Sequence, residues 1–250
     1  SSELRPLSAS MEQPLAQLPS LCSRTLQALY DRQAQTGEDG KLHSIDATTR
    51  ISPDEGLELL RLAREVNACS LLEVGMAYGF STQFLLSALV PQGGRLLALD
   101  PFQSSDWHGI GRCLAEKTVA ALTSDQASCG PLLFQWIPEP SHRALPAFEA
   151  AGESFDLIFI DGYHRFDDVL IDVSLAARLC RQGGVIVLHD LWLPAVRSVV
   201  AFLEANRSDL ARLETVCPNL GVFQVQGRDQ RNWDHFVPFA STSEPWLEET

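Results

Sequence analysis

Four acidic side chains stand directly after short apolar runs, where carboxylates could bind a ligand, a metal ion or a proton. They are Glu73, Asp100, Asp161 and Asp190, and His189 precedes the last of them. A single acid in such a place is usually a solvated loop residue or a helix cap. Parallel strands, however, bring their carboxyl ends to one edge of a sheet, and ligands bind at that edge. Four acids of this kind therefore indicate a binding site.

A glycine turn follows the first of these acids and predicts a site for the polar end of a nucleotide-like ligand. Gly75 and Gly79 permit positive φ angles and a close approach of the backbone. Ser81 takes the N-cap position of the next helix, whose free N–H groups would face the ligand. The glycine spacing does not match the Gly-x-Gly-x-x-Gly pattern of dinucleotide-binding proteins. Glu73, just before the turn, favours a cationic ligand with an ammonium or sulfonium group.

The elements that position these residues follow from alternating apolar runs and helical patterns. Continuous apolar strands indicate a parallel sheet that is buried on both faces. We predict a Rossmann-like, doubly wound α/β fold: a mostly parallel seven-stranded sheet, helices on both faces and an N-terminal helical extension. The predicted strands cover residues 71–74, 95–100, 132–137, 155–161, 185–190, 213–217 and 222–225. The predicted helices cover residues 21–35, 53–66, 81–89, 114–122, 144–151, 166–180 and 194–206.

Within the chain we expect three segments. Residues 1–50 would form an N-terminal extension that could act as a lid, and residues 51–227 the ligand-binding domain. Residues 228–250 would form a C-terminal tail, either loose or docked on a neighbouring subunit of a homodimer.

Composition and charge exclude several classes of function. The 250 residues include 19 Lys and Arg against 32 Asp and Glu, a net charge of −13 that repels phosphate backbones and argues against nucleic acid as a partner. No apolar run reaches the length of a membrane span, and no secretory signal opens the sequence. We therefore expect a cytoplasmic protein without a membrane partner. The six cysteines form no Cys-x-x-Cys pair, which predicts reduced thiols and no metal–thiolate site.

The order of five motifs resembles the class I S-adenosylmethionine-dependent methyltransferases. The motifs are LLEVGMAYGFST (residues 71–82), LDPFQ (99–103), EPS (139–141), FIDGYH (159–164) and GGVIVLHD (183–190). They are similar to the branch of bacterial small-molecule O-methyltransferases and, more distantly, to the catechol type. The resemblance covers residues 52–225 and implies a methyltransferase that uses S-adenosylmethionine as its cofactor.

This resemblance also implies roles for individual residues. The methionine part of the cofactor would be held by Glu73, Gly75, Tyr78, Gly79 and Ser81. Asp100 would bind the ribose hydroxyls, at the distance from the glycine turn that this role requires. Phe102 would line the adenine side, and Ser141 and His142 match the place where the catechol type contacts the adenine edge.

The resemblance implies a metal site as well. In the metal-dependent relatives, acids after the fourth and fifth strands bind magnesium, and the matching positions here are Asp161, His189 and Asp190. Neighbouring parallel strands lie about 4.8 Å apart, so carboxylates at their ends can share one divalent cation. Imidazole suits zinc, iron or manganese better than magnesium, which leaves the identity of the metal open. Without a metal, His189 or His164 would act as general base.

The leading hypothesis is therefore methyl transfer to a hydroxyl of a small molecule, with the catalytic residues Asp161, His164, His189 and Asp190. A nicotinamide-dependent oxidoreductase on a similar sheet is an alternative, although the glycine spacing argues against it. A non-catalytic binding protein is a second alternative, and the acids at the strand ends argue against it.

Overall fold

The computed structural model describes residues 12–46, 48–124 and 130–241, and its centre is a seven-stranded sheet. The helices of this part are α1 (Glu12–Leu15), α2 (Ser20–Tyr30), α3 (Pro53–Glu65), α4 (Phe80–Ala88), α5 (Ile110–Ser124), α6 (Ser141–Ala150), α7 (Phe166–Leu179) and α8 (Pro194–Asn206). Its strands are β1 (Gln35–Thr36), β2 (Leu42–His43), β3 (Ser70–Val74), β4 (Gly94–Leu99), β5 (Leu132–Ile137), β6 (Phe155–Ile160), β7 (Cys180–His189), β8 (Leu210–Leu213) and β9 (Leu220–Val225).

The order of the strands in the large sheet is β5-β4-β3-β6-β7-β9-β8. The five strands from β5 to β7 pair in parallel, whereas β9 is antiparallel to both β7 and β8. The chain winds outward from β3 in one direction and from β6 in the other. A crevice therefore opens where the order reverses, at the carboxyl ends of β3 and β6. The predicted fold class is confirmed.

Helices cover both faces of the sheet, which explains why its strands are continuously apolar. Successive side chains of a strand point to opposite faces. Leu71 accordingly packs in the core beneath α2, α3, α4 and α5, and Leu72 in the core beneath α6, α7 and α8. Both side chains are fully buried. The sheet is thus a rigid central layer that ends at the crevice.

Helix α3 begins as its sequence predicted. The Ser52 hydroxyl accepts a hydrogen bond from Glu55 N (3.2 Å), and the Glu55 carboxylate accepts one from Ser52 N (2.8 Å). This reciprocal pair is a capping box, and Pro53 occupies the first helical position.

Several boundaries differ from their predictions. Helix α2 ends at Tyr30 rather than residue 35, and a short antiparallel hairpin of β1 and β2 follows. Helix α5 already begins at Ile110, and β8 lies at Leu210–Leu213 instead of residues 213–217. Strands of two residues are too short to show a period of two, so the sequence pattern does not reveal the hairpin.

The tail contacts its own chain over the residues that the structure describes. The side chain of Asn206, at the end of α8, donates to Val237 O (2.9 Å) and accepts from Val237 N (2.7 Å). The extreme segments of the predicted lid and tail, residues 1–11 and 242–250, lie outside the described residues.

Two further expectations can be compared with the structure. Among the described residues, no helix combines the length and apolar character that a membrane crossing requires. The described cysteines, Cys22, Cys69, Cys113, Cys180 and Cys217, are free thiols, and Cys129 lies outside the described residues.

The glycine turn after β3 gives a first testable prediction. Gly75 has a φ of 85°, and a Cβ atom there would lie 2.2 Å from the backbone oxygen of Asp161. Gly75→Ala should therefore combine left-handed backbone strain, about 1–2 kcal/mol, with a steric clash. Urea denaturation should show a fall of more than about 2 kcal/mol in the free energy of unfolding.

Gly152→Ala is the matched control for this substitution. Gly152 also has a positive φ, 72°, but a Cβ atom there would meet no neighbouring side chain or backbone within 4 Å. This control should show the backbone strain alone. Equal losses in the two variants would show that the close approach of the Gly75 and Asp161 backbones does not contribute to stability.

Candidate functional site

A cleft of about 650 Å³ lies at the carboxyl ends of the strands, at the predicted edge of the sheet. On one side it is lined by Gly75, Ser81, Asp100, Phe102 and Ser141. On the other side it is lined by Asp161, His164, His189 and Asp190, which we call the acid–histidine cluster. Residues 48–51 also line the cleft, and sequence reasoning missed them because they belong to a polar segment without periodicity.

Glu73 lies behind the cleft, which corrects the expectation that it contacts the ligand. Its side chain is fully buried, and its oxygens accept hydrogen bonds from the hydroxyls of Ser81 and Thr82 (2.7 Å for Thr82). Burial raises the pKa of Glu73 to about 8, although these two hydrogen bonds oppose the rise. Glu73 therefore holds Ser81, which lines the cleft. The prediction that Ser81 is the N-cap of this helix is wrong, because α4 begins at Phe80 and its N-cap is Gly79.

Three other predicted cofactor residues also lie outside the cleft lining. The buried Tyr78 accepts a hydrogen bond from Asp46 N (3.3 Å) at its hydroxyl, and so ties the N-terminal segment to the turn. Gly79 has a φ of 89°, and a Cβ there would lie 3.2 Å from Gly111 Cα, so it permits close packing on α5. His142 is exposed in the first turn of α6. These three residues therefore lie outside the lining of the cleft, where each faces a protein neighbour or solvent.

Asp100 lines the cleft and also builds the glycine turn. One carboxylate oxygen accepts hydrogen bonds from Met76 N (3.3 Å), Ala77 N (2.9 Å) and Gln103 Nε2 (3.0 Å). The other oxygen accepts from Phe102 N (2.9 Å). Besides lining the cleft, Asp100 therefore fixes the backbone of the glycine turn.

An aromatic wall continues the cleft beside Asp100. The rings of Phe102 and Tyr163 meet edge to face, with 5.9 Å between their centroids. Both rings line the cleft, as does Ser141 at the start of α6. The wall thus combines two aromatic rings with the hydroxyls of Tyr163 and Ser141, which suits a flat heterocycle.

The acid–histidine cluster brings Asp161 and Asp190 together, as predicted. His164 Nε2 lies 3.2 Å from an Asp161 oxygen and 2.8 Å from an Asp190 oxygen. His189 Nδ1 lies 3.3 Å from Asp161 and 3.2 Å from Asp190. Each of the two carboxylates therefore contacts both His164 and His189. The sequence did not predict these ion pairs.

These contacts determine the charges in the cluster. Hydrogen bonds to Asp161 and Asp190 raise the pKa of His164 to about 9. Burial opposes the charged form of His189, but the neighbouring carboxylates hold its pKa well above the ordinary value. Burial likewise opposes the charged form of Asp190, yet its contacts with both histidines keep its pKa far below the ordinary value. Two imidazolium rings therefore neutralise the carboxylates at neutral pH.

The cluster that could hold a metal ion differs from the predicted ligand set at His189. Its second ring nitrogen, Nε2, lies 3.0 Å from a carboxylate oxygen of Glu55, so both nitrogens face acids inside the protein. The ligand atoms that lie within 4.8 Å of one another belong instead to Asp161, His164 and Asp190. Glu55 lies in the first turn of α3, and no local pattern indicates its contact with a residue 134 positions later.

Comparisons of the sequence with known proteins identify similar methyltransferases. A family described as a methyltransferase domain matches residues 72–191. A catechol O-methyltransferase of Mycobacterium tuberculosis is 27% identical over 193 residues, which are 75% of this chain and 78% of the relative. A caffeoyl-CoA O-methyltransferase of Zinnia elegans is 32% identical over 148 residues, which are 56% of this chain and 53% of that relative.

A solved structure shares the fold. The O-methyltransferase TomG of Streptomyces achromogenes, in complex with SAM, superposes with a TM-score of 0.59 at 23% identity. The superposition covers 84% of this chain and 91% of TomG.

The buried carboxyl of Glu73 predicts how stability depends on pH. The folded pKa is about 8 and the ordinary value 4.5, so between these pH values the unfolded chain loses a proton that the folded chain keeps. Stability should therefore fall as the pH rises from 4.5 to 8, by up to about 1.4 kcal/mol per pH unit from this residue. Glu73→Gln has no such proton, so its free energy of unfolding should fall less steeply in urea denaturation from pH 5 to 8. Parallel curves for the two proteins would show that Glu73 ionises normally in the fold.

Proposed function

The chain belongs to the S-adenosylmethionine-dependent methyltransferases, and from this premise we propose that it methylates a hydroxyl oxygen of a small molecule. The observation that carries the proposal is that the glycine turn and the acid–histidine cluster line one cleft. A donor bound at the turn would then present its methyl group to an acceptor at the cluster. The relatives' names, catechol and caffeoyl-CoA O-methyltransferase, support an oxygen acceptor.

The enzyme class and the cofactor that the sequence motifs implied are confirmed. The protein is a transferase, and its cofactor is S-adenosylmethionine. The methyltransferase match does not favour the nicotinamide-dependent alternative.

For the cofactor we propose contacts with the residues that line its side of the cleft. Gly75 and Ser81 would face the methionine part, Asp100 the ribose, and Phe102 and Ser141 the adenine. This assignment is supported by the positions of these residues at the glycine turn, directly after β4 and in the aromatic wall. The contribution of Glu73 would be indirect, because its carboxyl reaches only Ser81 and Thr82.

The acceptor side would align and activate the hydroxyl. Methyl transfer is a direct displacement, so the protein mainly holds the acceptor oxygen in line with the methyl group and excludes water. His164, with its pKa of about 9, carries a proton at neutral pH and can donate a hydrogen bond to an acceptor oxygen. Such a donor favours the deprotonated hydroxyl. The metal-independent alternative, with a histidine as general base, requires this ring to lose its proton first.

A divalent metal fits the same residues, and we propose that Asp161, His164 and Asp190 hold it. Two carboxylates and one imidazole suit manganese, iron or zinc better than magnesium. When bound, such an ion would lower the pKa of the acceptor hydroxyl. The proton on His164 competes with the metal, because a nitrogen that binds a metal cannot also carry a proton.

For the molecule as a whole we propose a cytoplasmic homodimer without nucleic acid or membrane partners. The net charge of −13 supports the absence of nucleic acid. The exposed side chains of Trp233 (98% exposed) and Phe236 (63% exposed) on the tail support a contact between subunits. A monomer in sedimentation velocity would contradict the dimer.

The cofactor assignment is tested through Asp100. Asp100→Ala should weaken S-adenosylmethionine binding by an amount typical of lost charged hydrogen bonds, on the order of 1.5–3 kcal/mol. The melting temperature should also fall, because Met76 N and Ala77 N lose their acceptor. Calorimetric titration with S-adenosylmethionine measures the first effect and thermal unfolding the second.

Asp106→Ala is the matched control, because Asp106 lines the cleft with the same charge but its carboxylate makes no hydrogen bond to the turn among the described residues. It should change the dissociation constant much less. Wild-type protein that binds no cofactor and methylates no member of a panel of small hydroxyl compounds, catechols included, would contradict the proposed function.

The metal is tested by its removal. Exhaustive chelation should abolish methyl transfer and leave cofactor binding largely intact, because the proposed ligands lie on the acceptor side of the cleft. Added manganese or zinc should restore turnover, and Asp161→Asn should reproduce the effect of the chelator. Activity that survives chelation would leave the metal-independent alternative with His164 at the acceptor.

A further inference from the structure

We propose that Glu55, at the start of α3, is a positioning residue that fixes the His189 ring and thereby the acceptor side of the cleft. The inference rests on the proposed function, because it assigns Glu55 a part in arranging the same cluster. Glu55 precedes the glycine motif and does not itself line the cleft. Its effect on the acceptor would be transmitted through His189.

The first support is the contact itself, which is buried. A carboxylate oxygen of Glu55 lies 3.0 Å from His189 Nε2, and the two side chains are 13% and 5% exposed. The ring edge of His189 also lies against Phe159, with 6.1 Å between the ring centroids. A buried imidazole that meets a carboxylate at this distance has little freedom to rotate, because rotation would leave its Nε2 without the carboxylate partner.

The second support is what lies at the opposite edge of the ring. His189 Nδ1 lies 3.3 Å from Asp161 and 3.2 Å from Asp190. A flipped ring would direct carbon atoms at these carboxylates and at Glu55. Glu55 therefore selects the ring orientation in which Nδ1 supports both acids of the cleft.

A second connection runs from Glu55 through Asn219. Asn219 Nδ2 donates to the free oxygen of Glu55 (3.1 Å), and Asn219 Oδ1 accepts from Trp192 N (3.1 Å). Trp192 in turn donates from Nε1 to Asp190 (3.0 Å) and lines the cleft. Asp190 has a φ of 67°, a conformation that persists only where its surroundings hold it. Glu55 thus supports Asp190 from two directions.

Helix capping alone does not account for these contacts. The capping box uses the bond from Ser52 N to one oxygen of Glu55, and a capping carboxylate is usually solvated. Here the same carboxylate is mostly buried and also meets His189 and Asn219. The two roles of Glu55 can be separated by experiment, because Ser52 takes part only in the cap.

The test compares Glu55→Ala with Ser52→Ala in the full chain. Glu55→Ala should lower kcat by on the order of 10–100-fold, the size expected when reacting groups lose their alignment. Calorimetry should show a dissociation constant for S-adenosylmethionine within about twofold of wild type, because the cofactor side is intact. Ser52→Ala should lower the melting temperature similarly but leave kcat close to wild type.

Two conservative variants extend the comparison. Glu55→Gln keeps an oxygen at the same reach and should recover much of the lost turnover. Glu55→Asp keeps a capping carboxylate but is one methylene shorter, so it should cap α3 and still lose turnover. This variant also decides the matter if Glu55→Ala does not fold. Equal kcat values for all Glu55 variants and Ser52→Ala would show that Glu55 only caps α3.

A readout without substrate separates this inference from the proposed function. NMR spectra of protein with ¹⁵N-labelled histidine should show slowly exchanging imidazole N–H signals from His189, identified by their loss in His189→Gln. The Nε2–H signal should persist in Ser52→Ala and disappear in Glu55→Ala, because Nε2 is the nitrogen that faces Glu55. If it does so while no acceptor is methylated, the positioning by Glu55 stands and the proposed function fails. An Nε2–H signal that is unchanged in Glu55→Ala overturns the inference.

Discussion

The charge on His189 is the interaction on which the acceptor side of the cleft depends. Glu55, Asp161 and Asp190 approach this one ring, and their carboxylates favour its charged form. The imidazolium supplies this positive charge from the end of β7. It also joins α3 to the ends of β6 and β7, so that the first helix of the domain and the two strands form one unit around the site.

The cofactor side depends on a different use of buried acids. Glu73 and Asp100 turn inward, where one holds Ser81 and Thr82 and the other holds the backbone N–H groups of the glycine turn. Their carboxyl groups thereby build the surface that a ligand meets. Buried polar networks of this kind are rigid because each unpaired group would cost a full desolvation penalty. The turn is therefore organised before any ligand arrives.

The two sides of the cleft explain how one fold can position both reactants. The glycine turn and the aromatic wall line one side of the cleft, where we propose that the cofactor binds, and the acid–histidine cluster lines the side proposed for the acceptor. Three of the cluster residues can alternatively hold a metal ion, because the proton on His164 occupies a position that a cation could take. A proton on His164 and a bound metal ion are thus two ways to balance the negative charges of Asp161 and Asp190, which lie close together.

The sequence by itself determined the fold class, the edge of the sheet at which the cleft lies and several of the residues that line it. It could do so because apolar runs set the strands, and because an acid after a strand must lie at the carboxyl edge of a parallel sheet. Asp100, Asp161, His189 and Asp190 all lie there. Local pattern also indicated the capping box of α3, since its partners are only three residues apart.

Only the tertiary structure decided which way each acid faces and which partner it meets. Glu73 lies one residue before the end of β3 and is buried against α4, whereas Asp161 directly follows β6 and lines the cleft. The contact of Glu55 with His189 joins residues 134 positions apart, and the pairing of His164 with Asp190 depends on the loop between β6 and α7. Such contacts are set by the packing of whole elements and by the cost of burying an unpaired charge, and neither quantity is encoded in a local spacing of residues.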